Sequence, residues 1–339
     1  MISVMVYHSF LILRLSLPVI RLLDSFIGIG LFNALFIVGG YGFEKRPVKK
    51  HFILQCRLML RPFFFTAVIS AIVYGIFYYY FTHSIYSSLI EILRRIVSIL
   101  LGIPNGQPLP IFGFELFIAG PLWYILAAFW SVVFLNIFLN YIKEKYIPVV
   151  LLIAFIAGCA LRESPYNFFS IGSALFACPL VYIGYKIKKT KLLQDDSKLG
   201  KAILVTGVIA AVLSLFMFMK PVPDLLPELS WLSIVKGIHC IVSALFMFLI
   251  FTLAGTLKGK LIDAICIIGR YALDVYIAQS YVFIFPWFII TDVLIGSSFL
   301  KVLAIIAGQI VITAIPCQIT YWITKIKQKR PSGGLDSAK

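Results

Sequence analysis

The chain has 339 residues, of which 61% are hydrophobic and 13% are charged, with a formal net charge of +16. A soluble domain carries nearer a quarter of charged residues, so uncharged runs of about twenty residues exclude an ordinary water-soluble globule. The basic excess does not point to nucleic acid, because 21 of the 30 Lys and Arg residues fall in short segments between or after apolar runs, the positive-inside pattern of a multi-pass membrane protein.

Residues 1–23 are apolar but broken by His8, Arg14, Pro18 and Arg21, and read as an incomplete span. Ser25–Phe43 is uncharged and reads as a full one. The stretch EKRPVKKHFILQCRLMLRP (44–62) then collects Lys45, Arg46, Lys49, Lys50, Arg57 and Arg61. It reads as a cytoplasmic elbow before the next span, Pro62–Thr82. Arg57 and Arg61 stand one helical turn apart among apolar residues at the membrane boundary, which suits a phosphorylated ligand. Residues 84–115 are expected on the outer side. They hold an amphipathic stretch with Glu91, Arg94 and Arg95 on a polar face, read as an interfacial helix, and then the turn-rich IPNGQPLP.

Further spans are expected at Leu116–Ile142, Tyr146–Leu161, Ser164–Tyr185, Ala202–Met219, Gly237–Leu257, about 271–291 and Val302–Thr324. Two turns separate the third and fourth of these from their neighbours: basic KIKKTKLLQDDSKLGK (186–201) inside and proline-rich PVPDLLPELSW (221–231) outside. Counting residues 1–23, the chain reads as an all-α polytopic bundle of about ten transmembrane helices over 1–325. Both termini are cytoplasmic, and 326–339 form a polar cytoplasmic tail.

Six scattered cysteines show neither CxxC nor ligand-like spacing, so neither a disulfide framework nor a metal site is expected. Of four histidines, His51 and His83 sit at span edges and read as solvated or headgroup-facing. His8 and His239 fall inside apolar runs, where an ionisable group faces the bundle interior and reads as functional first, with hydrogen-bonded packing as the competing role. Asp274 and Gln279 could line a cavity or tie helices together. Trp123 and Tyr124 are at home in an aromatic belt. The chain has no Walker A loop, GxSxG elbow, HExxH or ladder of intramembrane carboxylates.

Six stretches, in order, resemble motifs of the membrane-bound acyltransferase 3 family: VMVYHSF (4–10), LFNALFIVGGYGFEKR (31–46), HFILQCRLMLRP (51–62), PLWYILAAFW (121–130), ALFACPLVYIGYKIKK (174–189) and IIGRYALDVYIAQSY (267–281). Four departures stand out. Gly39 takes a place where serine is usual, Gln279 one where histidine is common, and the arginine pair is spaced Arg57-x3-Arg61 rather than R-x2-R. The family also places an arginine about eleven residues before its histidine, whereas His8 follows only seven residues.

The resemblance implies a bacterial inner-membrane enzyme that moves an acyl group, acetyl by expectation, from cytoplasmic acyl-CoA to a hydroxyl of a cell-surface or lipid-linked glycan. It implies His8 as the catalytic group, Arg57 and Arg61 on the donor, and Trp123, Tyr124, Asp274 and Gln279 toward the acceptor. Its expected partners are acyl-CoA, the glycan or lipid-linked sugar and membrane lipids. The competing readings are a glycan or lipid transporter or flippase, and an inactive, N-terminally truncated relative.

Overall fold

A computed structural model of the chain describes residues 29–102, 109–111, 114–116, 122–162, 164, 166–190, 192–219, 231–260, 277–278 and 298–329. Nine helices run through the described residues: α1 Ile29–Tyr41, α2 Val48–Thr82, α3 Ile85–Leu101, α4 Trp123–Tyr141, α5 Ile147–Arg162, α6 Ile171–Thr190, α7 Asp196–Met219, α8 Trp231–Ala254 and α9 Ser298–Lys329. Among the described residues one antiparallel strand pair interrupts them, with Leu109–Ile111 against Phe114–Leu116 and Pro110 opposite Glu115. The expected helical bundle is therefore what forms. Among the described residues, six stretches are long and apolar enough to cross a membrane: α2, Trp123–Tyr141, Glu144–Arg162, Phe168–Thr190, Ser197–Met217 and α8. Ile29–Tyr41 and Leu303–Ile315 are shorter apolar helices. The expected first span and the one near 271–291 lie almost wholly outside the described residues.

The outer surfaces of these helices explain why water is the wrong solvent. Phe65, Val68, Ile72 and Ile76 form an exposed stripe on α2, and Leu204, Val205, Val208, Val212 and Leu215 form another on α7. Contiguous apolar faces of this size belong against lipid. On α3 the same rule inverts the expected polarity. Ile85, Tyr86, Leu89 and Leu93 are exposed, while Glu91 is buried and takes an ion pair from Arg94, and the Arg95 guanidinium lies over the Tyr74 ring of α2. The charged face packs inward, because the partner of the apolar face is hydrocarbon rather than protein.

The middle of the bundle is α6, which packs on α1, α4 and α5. Its contacts are made at glycines. A Cβ on Gly40 of α1 would sit inside the Val181 carbonyl of α6, and one on Gly184 of α6 inside the Ile37 carbonyl of α1. Gly158 of α5 meets the Phe176 backbone in the same way. Where hydrophobic collapse cannot drive helices together, such close backbone approach supplies the dispersion contacts that do.

Helix α7 lies at the margin of the described bundle and packs chiefly on α8. One buried polar pair joins the two: Ser214 Oγ lies 2.8 Å from His239 Nε2. Ser214→Ala orphans both imidazole nitrogens, since Nδ1 already has no partner. We expect this change to lower stability by about 1 kcal/mol, and Ser214→Ala/His239→Leu to recover most of the loss, because removing the imidazole too leaves no buried ring nitrogen unsatisfied. Thermal midpoints of the purified variants in detergent check both outcomes.

Candidate functional site

The segment read as an elbow is mostly helix. The turn spans only 42–47, and α2 runs unbroken from Val48 to Thr82. Pro62 marks the expected helix start because proline suits a first turn. Here it sits inside a longer helix, and just ahead of Arg61 the five residues Cys56–Leu60 adopt a π-helical turn in which the Arg61 N–H donates to the Cys56 carbonyl. Proline has no N–H to donate and its ring crowds the carbonyl four residues back. A widened turn just ahead of it lets the helix continue past that obstacle.

This continuity divides the six cations into two groups. The turn is held at the C-terminal end of α4: the Arg46 N–H donates to Asn136 Oδ1 (3.1 Å), and Asn136 and Asn140 each donate a side-chain N–H to the Arg46 carbonyl (3.0 Å). From there α2 runs antiparallel along α4. The Phe52 ring lies 5.7 Å from Phe129, and Phe63 packs with Leu122, Ile125 and Leu126 at the other end of α4. At 1.5 Å per residue, Arg57 and Arg61 lie roughly 16 and 22 Å along the chain from Arg46. They do not join the lysines of the turn in one patch. Both guanidiniums are exposed and have neither an ion pair nor a hydrogen bond among the described residues.

Around this stretch, parts of the chain far apart in sequence meet. Phe63, Ala67, Ile99, Leu122, Ile125 and Leu126 form a buried cluster, with Phe32, Met59, Leu60, Tyr124 and Ile277 packed against it. Four of the motif-bearing stretches, 31–46, 51–62, 121–130 and 267–281, thus each supply a side chain to one cluster beside Arg57 and Arg61. A fifth, 174–189, makes up most of α6 and includes Val181, which lies against Gly40. Trp123 and Tyr124 are half-buried at the start of α4. Tyr124 touches both core clusters, and its ring lies 4.7 Å from Phe36. His8, Asp274 and Gln279 lie outside the described residues, although Ile277 and Ala278, just before Gln279, are helical and packed.

The histidines divide differently from expectation. His83 is exposed at the end of α2, with its backbone left-handed (φ 53°). His51, expected to be solvated, is 3% exposed. Its ring sits 5.3 Å from Phe43 and beside the Val132 backbone, and neither nitrogen reaches a partner in hydrogen-bonding geometry. It is buried because the helix starting at Val48 turns it toward α4, a consequence invisible while 44–62 reads as a loop. His239 is fully buried, bonds Ser214, and serves helix packing in this arrangement. The described cysteines 56, 159, 178 and 240 are free thiols, and no group of His, Cys, Asp and Glu among the described residues could hold a metal ion.

The asparagine clamp on Arg46 was not singled out from sequence, although Asn136 and Asn140, four apart in an apolar run, are the signal that could have found it. Asn136→Leu removes the acceptor of the Arg46 N–H and one donor to its carbonyl. The expected cost is about 1–2 kcal/mol, read as a lower thermal midpoint together with faster proteolysis at the 42–47 turn. An unchanged cleavage rate would show that the turn is held by other contacts.

Comparison of the chain with protein-family models, with curated proteins and with solved structures gives no match in any of the three. What it does has therefore to be read from its own residues.

Proposed function

We propose that the protein is an integral-membrane O-acyltransferase that takes an acyl group from cytoplasmic acyl-CoA and places it on a hydroxyl of a cell-surface or lipid-linked glycan. The observation that carries this reading is the convergence of four motif-bearing stretches on one cluster beside two unpaired guanidiniums. Arg57 and Arg61 offer planar, always-charged donors for the donor's phosphates, better matched to them than lysine point charges. The π-turn also accounts for the arginine spacing. A π-turn accommodates one residue more than an α-turn, so Arg57-x3-Arg61 presents its second arginine much as R-x2-R would on a regular helix.

In the chemistry, a base takes the proton of the acceptor hydroxyl, the alkoxide oxygen attacks the thioester carbonyl, and the thiolate of coenzyme A leaves and is protonated. The resemblance assigns the base to His8. An apolar surrounding limits loss of the thioester to water. Membranes holding the wild-type chain, given labelled acetyl-CoA, are expected to gain base-labile label on glycan, and His8→Ala membranes with equal protein to gain none. Equal labelling by the two would remove His8 from the mechanism, and label in neither would favour a transporter.

A further inference from the structure

A pocket of about 400 Å³ opens at the lysine-rich end of the bundle, where the 42–47 turn, the α4–α5 connection and the last turn of α6 meet. Lys45, Lys143 and Lys189 line it, one from each segment, around a base that includes Tyr185 and the fully buried Ile147. We propose that it is a binding site for a phosphate monoester or diphosphate group, separate from Arg57 and Arg61 and independent of the acyltransferase reading.

Three features carry the assignment. The lysines come from three separate segments and have no ion pair among the described residues; Lys189 lies over the Tyr185 ring, 4.6 Å from its centroid. The lining holds one carboxylate, Glu144, against three lysines; its close ion pair, at 2.8 Å, goes to Lys186 outside the lining, and its field also reaches Lys189 and Lys45. The backbones are also fixed beforehand. Arg46, next to Lys45, is clamped by Asn136 and Asn140, and Lys143 follows directly on the end of α4. Three ammonium groups around a concave, partly apolar site leave excess positive charge that a multiply charged phosphate would neutralise through charge-assisted hydrogen bonds. The size suits a small phosphorylated body, whether a soluble metabolite or the headgroup of an anionic lipid.

The plainer role for these lysines is to set topology and to complement helix C-termini. That role is shared by Lys49, Lys50 and Lys188, which lie close by in sequence but do not line the pocket. The full-length protein in phosphatidylcholine nanodiscs would be titrated with inorganic pyrophosphate. In a second arm, protein extracted from nanodiscs containing phosphatidic acid would be examined by native mass spectrometry for retained lipid. K45Q/K143Q/K189Q is compared with K49Q/K50Q/K188Q, which removes the same charge, after both are shown to be monodisperse.

We expect wild type to bind at least one probe, and the pocket variant to lose at least about tenfold in affinity or occupancy while the control stays within about twofold. Loss with pyrophosphate identifies a soluble phosphate, and loss with phosphatidic acid a headgroup. Equal weakening by both variants, or no binding of either probe to wild type, overturns the proposal.

Discussion

Gly184→Leu is expected to abolish the folded protein, while Gly39→Leu leaves it intact. A side chain at 184 has no space to occupy, because the nearest atoms are the Ile37 carbonyl and the backbone around Gly40 and Tyr41 on α1. A flexible side chain could move aside, but helix backbone moves only if α1 and α6 part, and these two helices share the larger core cluster. Overpacking of a well-filled core costs about 1–3 kcal/mol even where neighbours adjust. Here the separation would also unpack Phe36, Ile37 and Val181, so we expect a cost at or above about 3 kcal/mol, a large part of a typical stability. At Gly39 an added Cβ meets nothing within 4 Å. Fluorescence-detected size exclusion of tagged variants should show aggregate for Gly184→Leu and a wild-type peak for Gly39→Leu. Equal peaks for both would mean that the α1–α6 crossing is not as close as described.

The second large effect is expected at Arg57 and Arg61. Arg57→Ala and Arg61→Ala should each raise the KM for the acyl-CoA donor about tenfold, and the double variant more, with the amount of folded protein unchanged. On the proposed reading, each removes a charge-assisted contact worth about 1.5–3 kcal/mol to the phosphates of the donor. Neither has a partner to orphan, so folding should not suffer. Arg→Lys at either position should recover part of the loss, since it keeps the charge but not the planar fork. Folded variants with wild-type donor KM would show that these guanidiniums only face the headgroups.

The sequence and the structure agree where periodicity and charge carry the information. Uncharged runs mark the existence of helices α4 to α8, because length and hydropathy alone define a span, but only half of their ends fall within three residues of the expected ones and the rest are displaced by five to seven. The α4 start moved from Leu116 to Trp123, because Phe114–Leu116 pairs with Leu109–Ile111 as a strand. Pro62 misled for a physical reason: proline reads as a helix start, and only a π-turn makes it an interior residue. That error hid the burial of His51. Adjacent Gly39 and Gly40 look alike in sequence, yet one faces open space and the other touches α6, a difference set by the crossing and not by composition. The inward charge of α3 was illegible for a similar reason, since amphipathicity shows two faces without saying which solvent each one meets.

Binding of coenzyme A to the purified chain in nanodiscs, followed by isothermal titration calorimetry, tests the site most directly, because it needs neither an acceptor nor turnover. The proposed donor site requires saturable binding in wild type, weakened at least about tenfold in Arg57→Ala/Arg61→Ala and little changed in His8→Ala. No saturable binding of coenzyme A to wild type, or the same affinity in the double arginine variant, would contradict it.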